Sequence, residues 1–181
     1  SHIVRKALPL LLQALALLPN SIKWRLHVLG AGPATKSWKK MAGQLGIANR
    51  IMWHGNLPRE EAIQKVAATH VFIITSFQDL TSTVLVEALS QGVPVICPDH
   101  SGFRDAINDT CGIKIPMNSP GQFIKSLAAK LQIIEANEEY RRHLANGALD
   151  RVEYYFSWNR KAEILNEIYN RAANGKRFHP A

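Results

Sequence analysis

Cysteine is scarce in this chain. Cys97 and Cys111 are the only two, and neither sits in a Cys-x-x-Cys or Cys/His spacing. That excludes a disulfide framework and a cysteine-built metal centre, and a reducing cytoplasm is the simplest setting. Long apolar runs are missing too. The longest, "ALPLLLQALALLP", falls short of the ~20 residues a spanning helix needs and holds Gln13 and two prolines, so it reads as a buried helix. The ordered charged, apolar and small-residue regions of a secretory leader do not occur. Internal repeats and low-complexity stretches are likewise lacking. His70, His100 and His143 show no ligand spacing, so no metal is expected. Acidic residues are the minority, 14 against 22 Lys and Arg, which leaves a net charge of +8. Such an excess suits an anionic partner. The basic residues are scattered and no recognition motif accompanies them, which argues against nucleic acid. Nucleotides, phosphorylated lipids and anionic membrane surfaces remain, as does a basic surface that is merely solvated.

What the chain does have is the composition of a globular domain, 46% apolar and 20% charged over 181 residues. Strand-like and helix-like segments alternate. Helices are predicted over about 5–18, 35–45, 57–69, 82–91, 119–135, 138–154 and 159–173. Short apolar strands are predicted at "WRLHVLG", "RIMWHG", "HVFIITS", "PVICPD" and "CGIKIP". Apolar strands each followed by a helix predict an α/β fold, a doubly wound Rossmann-like parallel sheet with a helical C-terminal extension. One domain is expected over 3–173, with a fraying tail at 174–181; residues 1–2 read as a tag remnant. Ligands of such sheets bind at the carboxyl ends of the strands, here the loops after Gly30, His54, Ser76 and Asp99.

The third of those loops opens the most informative stretch, "SFQDLTSTVLVEALSQGVPVI". Ser82 is the expected N-cap of a helix whose first amides, on Thr83, Val84 and Leu85, suit phosphate. Thr81, Ser82 and Thr83 add hydroxyls. Val84, Leu85, Ala88 and Leu89 are expected to face the core, with Thr83, Glu87, Ser90 and Gln91 opposite. Glu87 lies about 7 Å along the axis from the N-cap, and its side chain leans back toward it. A carboxylate there repels phosphate but can accept from vicinal hydroxyls such as those of ribose. Asp79, before the helix, could serve a second polyol. The same acids also suit a local turn bond at Asp79 and a helix-dipole role for Glu87.

This stretch resembles the donor-binding segment of family 4 glycosyltransferases, retaining enzymes of the GT-B fold. Its pattern is an acid, seven residues, Glu-Ala, then small-x-Gly-x-Pro-Val. Further segments follow in the family's order: "RKALPLLLQALALLP", "VLGAGPATKSWKKMAGQLGI", "IMWHGNLPREEA", "THVFIITS" and "FSWNRKAEILNEIY". The resemblance implies that Glu87 binds the ribose hydroxyls and Asp79 the donor sugar. Leu80, Thr81, Ser82 and Thr83 would supply amides and hydroxyls near the sugar and diphosphate. Lys6 would neutralise the diphosphate, His54, Gly55 and Asn56 would border the nucleobase, and Gly30 and Gly32 would let a loop come close. It implies no cofactor beyond the UDP- or GDP-linked donor. It also implies that the family's first strand, with its arginine, and the N-terminal acceptor-binding domain lie outside this chain. A place at the inner face of the membrane, through peripheral association, would suit the family. Asp79 is one methylene shorter than the family's commoner Glu.

Two other classes compete. A non-catalytic binding module would read its partner through the compact cluster Lys36, Lys39 and Lys40. A dehydrogenase-like domain would use "GAGPAT", but that motif lacks the third glycine and the later acid. Trp158 in "FSWNR" is expected to anchor the last helix by packing, and the Tyr and Leu stripes of 135–156 to lie in the core.

Overall fold

The computed structural model describes residues 6–77 and 82–173. Five short strands and eight α-helices alternate through them. The first helix is α1 (Leu8–Ala16), followed by β1 (Leu26–Leu29), α2 (Thr35–Gln44), β2 (Ile51–Gly55), α3 (Arg59–Ala67) and β3 (Phe72–Ile73). Then come α4 (Thr83–Ser90), β4 (Val95–Pro98), α5 (Ser101–Ala106), β5 (Gly112–Ile115), α6 (Pro120–Ala136), α7 (Glu138–Arg151) and α8 (Trp158–Ala173). Every strand pair is parallel, as the alternation of strand and helix requires.

β4 is buried at every position and β5 at all but Lys114, which is why they read as near-continuous apolar runs, whereas β1, β2 and β3 are mostly half-buried. Side chains of β4 alternate between two clusters. Ile96 points into a core shared with α1, α6 and Leu144 of α7, while Val95 and Cys97 point into a second one with Leu85, Ala88 and Leu89 of α4, Phe103 and Ala148. Leu26 and Val28 of β1 and Ile51 of β2 belong to the first core along with Ile113 and Ile115 of β5. Helices on both faces of parallel strands are the doubly wound arrangement. Burial pushes the Cys97 thiol up to about 12 and raises Cys111 as well, so both cysteines are core residues, little ionised near neutrality.

Several expectations change. The strands do not form one continuous ladder: among the described residues β1–β2 and β3–β4–β5 are separate hydrogen-bonded groups, joined by the side chains of the first core. "HVFIITS" yields only two ladder residues at β3. The helix expected from residue 5 starts at Leu8, because Ala7 is left-handed at φ 44° and turns the chain. Helix α5 was not anticipated; six residues with one apolar anchor, Phe103, carry too little periodicity to read. Trp158 does not anchor α8: it is 85% exposed, and no residue of α8 is buried. In the stripe before it Leu144 is buried, but Leu149, Tyr154 and Tyr155 are exposed. Tyr154 and Tyr155 fall in a π-helical turn over 152–156, where the α-helical stripe no longer holds, and Phe156 of the same turn packs against the second core. The tail 174–181 lies outside the described residues.

Candidate functional site

The loops at the carboxyl ends of the strands are tied to one another by short polar links. Opposite β1, strand β2 carries one extra residue: Val28 pairs with Trp53 and Leu29 with Gly55, so His54 is the bulge. Gly30 N–H then donates to Gly55 C=O at 2.7 Å, with both glycines at positive φ, 99° and 67°. A side chain would strain this crossing. Just beyond it, the Ala31 amide donates to Asn56 Oδ1 at 2.9 Å, and the Gly32 amide to Thr35 Oγ1. Gly30, Gly55 and Asn56 therefore belong to one knot joining the loops after β1 and β2, and Gly32 closes the adjacent turn into α2.

The bulge turns His54 onto the same side as His27 of β1. Nδ1 of His27 and Nε2 of His54 lie 3.0 Å apart, and the ring planes differ by 9°. That separation is closer than the faces of stacked rings approach, so the contact is an edge-to-edge hydrogen bond sharing one proton. Burial first, then the charges of His54, Lys65 and Arg25, hold the His27 imidazole below its ordinary 6.5.

On the other side, the loops after β3 and β4 meet. The Thr75 hydroxyl donates to Lys6 C=O at 2.8 Å, which brings Lys6 to the end of β3. A ring nitrogen of His100 lies 2.9 Å from Ser76 C=O, and Arg104 pairs with Asp99 at 2.9 Å. The Ser76 hydroxyl is buried and has no partner among the described residues. The two non-glycine residues at positive φ among the described residues, Ala7 and Ser101, both lie at this edge. Strained backbone tends to gather at functional sites.

Helix α4 starts here. Ser82 is its N-cap residue, in extended conformation, but its hydroxyl makes no capping bond; Leu85 N–H bonds Ser82 C=O instead. The core face is Leu85, Ala88 and Leu89. Val84 does not join it, being 41% exposed, and Thr83 is exposed as well. Both side chains stand beside the amides of Thr83 and Val84, which have no backbone partner among the described residues. Glu87, about one turn further in, is half-buried and accepts two bonds from Arg59, Nε at 3.0 Å and Nη2 at 2.8 Å. Arg59 opens α3, three residues after Asn56, so this pair ties the β2 side of the edge to the α4 side. Asp79, Leu80 and Thr81 lie outside the described residues.

The structure thus brings Gly30, Gly55 and Asn56 together in one loop knot, with Gly32 in the turn beside it and His54 on the neighbouring bulge, and sets Ser82, Thr83 and Glu87 along α4. Sequence reasoning missed Arg59 and His27. Arg59 was visible only as one letter of a helix-start motif, and His27 as an ordinary strand residue. Among the described residues no three His, Cys, Asp or Glu side chains converge as a metal site. Lys39, in the basic cluster of α2, sits over the Trp53 ring at 5.8 Å.

An α/β domain with parallel strands, helices on both faces and its loops knotted at the carboxyl edge has the fold of the GT-B glycosyltransferases. Sucrose-phosphate synthase from Thermosynechococcus elongatus superposes with a TM-score of 0.76 at 22% identity, covering 95% of this chain and 43% of that one. Anabaena HepE, solved in complex with UDP, gives 0.76 at 19%, covering 91% and 45%. The family description "Glycosyl transferases group 1" matches residues 3–151, and the chain belongs to that family. A lipopolysaccharide 1,6-galactosyltransferase of Salmonella typhimurium is 27% identical over 143 residues, 76% of this chain. The chain spans 39% of the length of that relative.

Proposed function

We propose that this chain is the donor-binding half of a retaining, metal-independent family 4 glycosyltransferase, and that it holds a UDP- or GDP-linked sugar at the carboxyl edge of its strands. The observation that carries the reading is Glu87, a half-buried carboxylate one turn inside a helix start that faces this edge. An acid so close to an anion-attracting helix end suits a ligand with a hydroxyl pair beside its phosphates, which is a nucleoside diphosphate. That HepE was solved with UDP supports the same ligand class here.

In this reading Glu87 accepts from the ribose diol, and the amides of Thr83 and Val84 with the Ser82 and Thr83 hydroxyls face the diphosphate; the Leu85 amide, expected to join them, is already taken by Ser82 C=O. Lys6 supplies the cation. Leu80 and Thr81 extend the helix-start cradle, and Asp79 accepts from hydroxyls of the donor sugar. The Gly30–Gly55 knot, with Gly32, His54 and Asn56, borders the nucleobase. In the transfer step the bond from the sugar's anomeric carbon to the diphosphate oxygen breaks, and that oxygen keeps the electron pair. A preorganised helix end and a lysine stabilise the leaving charge without a metal. The acceptor, a glycan, lipid or other polyol held by an N-terminal domain outside this chain, forms the new bond through a hydroxyl oxygen, and the proton of that hydroxyl passes to the departing diphosphate oxygen. The reading puts the whole enzyme in the cytoplasm, with peripheral contact at an anionic membrane face. No helix among the described residues is long and apolar enough to cross a membrane.

Calorimetric titration with UDP, GDP and ADP tests the proposal. The chain is expected to bind at least one of them and to transfer no sugar. No heat of binding from any of the three at about 1 mM, where a contact worth ~4 kcal/mol would register, contradicts it.

A further inference from the structure

Arg59 is in an unfavourable place for its helix. It is the first residue of α3, where the helix dipole favours acids, and Glu60 and Glu61 follow as that rule expects. Helix stability therefore does not account for a cation at this position. Its guanidinium is instead spent on Glu87, 28 residues away: Nε and Nη2 both donate to the same oxygen, Oε1, at 3.0 and 2.8 Å. Arg59 is 73% exposed and Glu87 28% exposed, so the arginine closes over the carboxylate from the solvent side.

We propose that Arg59 is a positioning residue for the nucleoside end of the donor. By taking Oε1 with two donors it fixes the Glu87 carboxylate in one orientation and turns Oε2 toward the site as the acceptor for a ribose hydroxyl. Glutamate has three side-chain torsions, and holding them before the ligand arrives removes an ordering cost from binding. The link also couples two halves of the edge. Arg59 follows the loop of His54, Gly55 and Asn56, while Glu87 belongs to α4, so the nucleobase border and the ribose acceptor keep one relative position. This inference rests on the reading of Glu87 as the ribose acid.

The test compares Arg59→Gln with the parent chain by calorimetry, using UDP, GDP and their 2′,3′-dideoxy analogues. A positioning role predicts that Arg59→Gln weakens the nucleotide that binds by about fivefold or more. It leaves the dideoxy analogue, which has no hydroxyls for Glu87, nearly unchanged. In a Glu87→Gln background the same substitution should add little, because the two residues act as one unit. Thermal unfolding should show Arg59→Gln as stable as the parent or slightly more so, since a cation leaves a helix start. Equal weakening of both ligands would make Arg59 a simple phosphate cation and overturn the proposal. So would unchanged nucleotide affinity in Arg59→Gln alongside a loss in Glu87→Gln, which leaves the ribose reading standing. If Glu87→Gln is also without effect, or neither nucleotide binds, the reading beneath falls and the proposal with it.

Discussion

At the scale of single residues, the histidine bond across the β1–β2 bulge is the feature with the clearest pH consequence. Burial and neighbouring positive charge favour neutral His27 in the folded chain. Between the depressed folded value and the ordinary 6.5, the unfolded chain therefore holds more protons than the native one, and stability must rise with pH there. The penalty is absent above 6.5, appears as the pH falls through it, and is complete once the folded value has been passed. Melting temperature followed from about pH 7.5 to about pH 5 should fall on the acid side, and His27→Gln should flatten part of that fall. An identical acid profile in the variant would mean that His27 is not the group responsible. Little of this was legible beforehand. His54 could be placed at a strand end from its neighbour Gly55, but a bulge depends on the partner strand, so its meeting with His27 could not be read. Glu87 stood out because one acid interrupts the apolar stretch "TVLVEAL". Arg59 was not, because its meaning lies in a contact 28 residues away.

At the scale of elements, helices with a clear inner stripe were read nearly to their ends, as α6 and α7 show. Errors came where tertiary context decides. Val84 has the spacing of a core residue, yet α4 turns it to the open edge. Tyr154, Tyr155 and Trp158 are exposed around a π turn, while Phe156 between them packs against the second core. Besides its buried Leu144 and Ala148, α7 makes one close approach through backbone. At Gly147 the helix meets the backbone of the loop before β5, and an added Cβ would run into the Thr110 carbonyl. Gly147→Ala should therefore destabilise by about 1–3 kcal/mol, the usual effect of overpacking, even though alanine is the better helix former. Trp158→Ala removes a far larger side chain that is 85% exposed and should leave the melting temperature nearly unchanged. Thermal unfolding of the two variants side by side checks both, and the reverse order would show that the last helix, not the α7 contact, carries the stability.

At the scale of the whole molecule, the α/β class was legible because it follows from alternation, and the same alternation points to where a candidate site belongs. Buried strands separated by amphipathic helices predict parallel pairing, and parallel pairing predicts a site at the carboxyl ends. How strands pair across the molecule was not legible, since an apolar run does not name its neighbour; the separation of β1–β2 from β3–β4–β5 appears only in the structure. The account as a whole depends on the acid in the middle of "TVLVEAL". Titration of Glu87→Gln with the nucleoside diphosphate that binds the parent, and with pyrophosphate beside it, tests it most directly. Charge-assisted bonds contribute about 1.5–3 kcal/mol each, so the variant should bind the nucleotide at least about tenfold more weakly. Pyrophosphate, relieved of a nearby negative charge, should bind no worse. Nucleotide affinity equal to the parent's would show that Glu87 is not the ribose acceptor and would contradict the account.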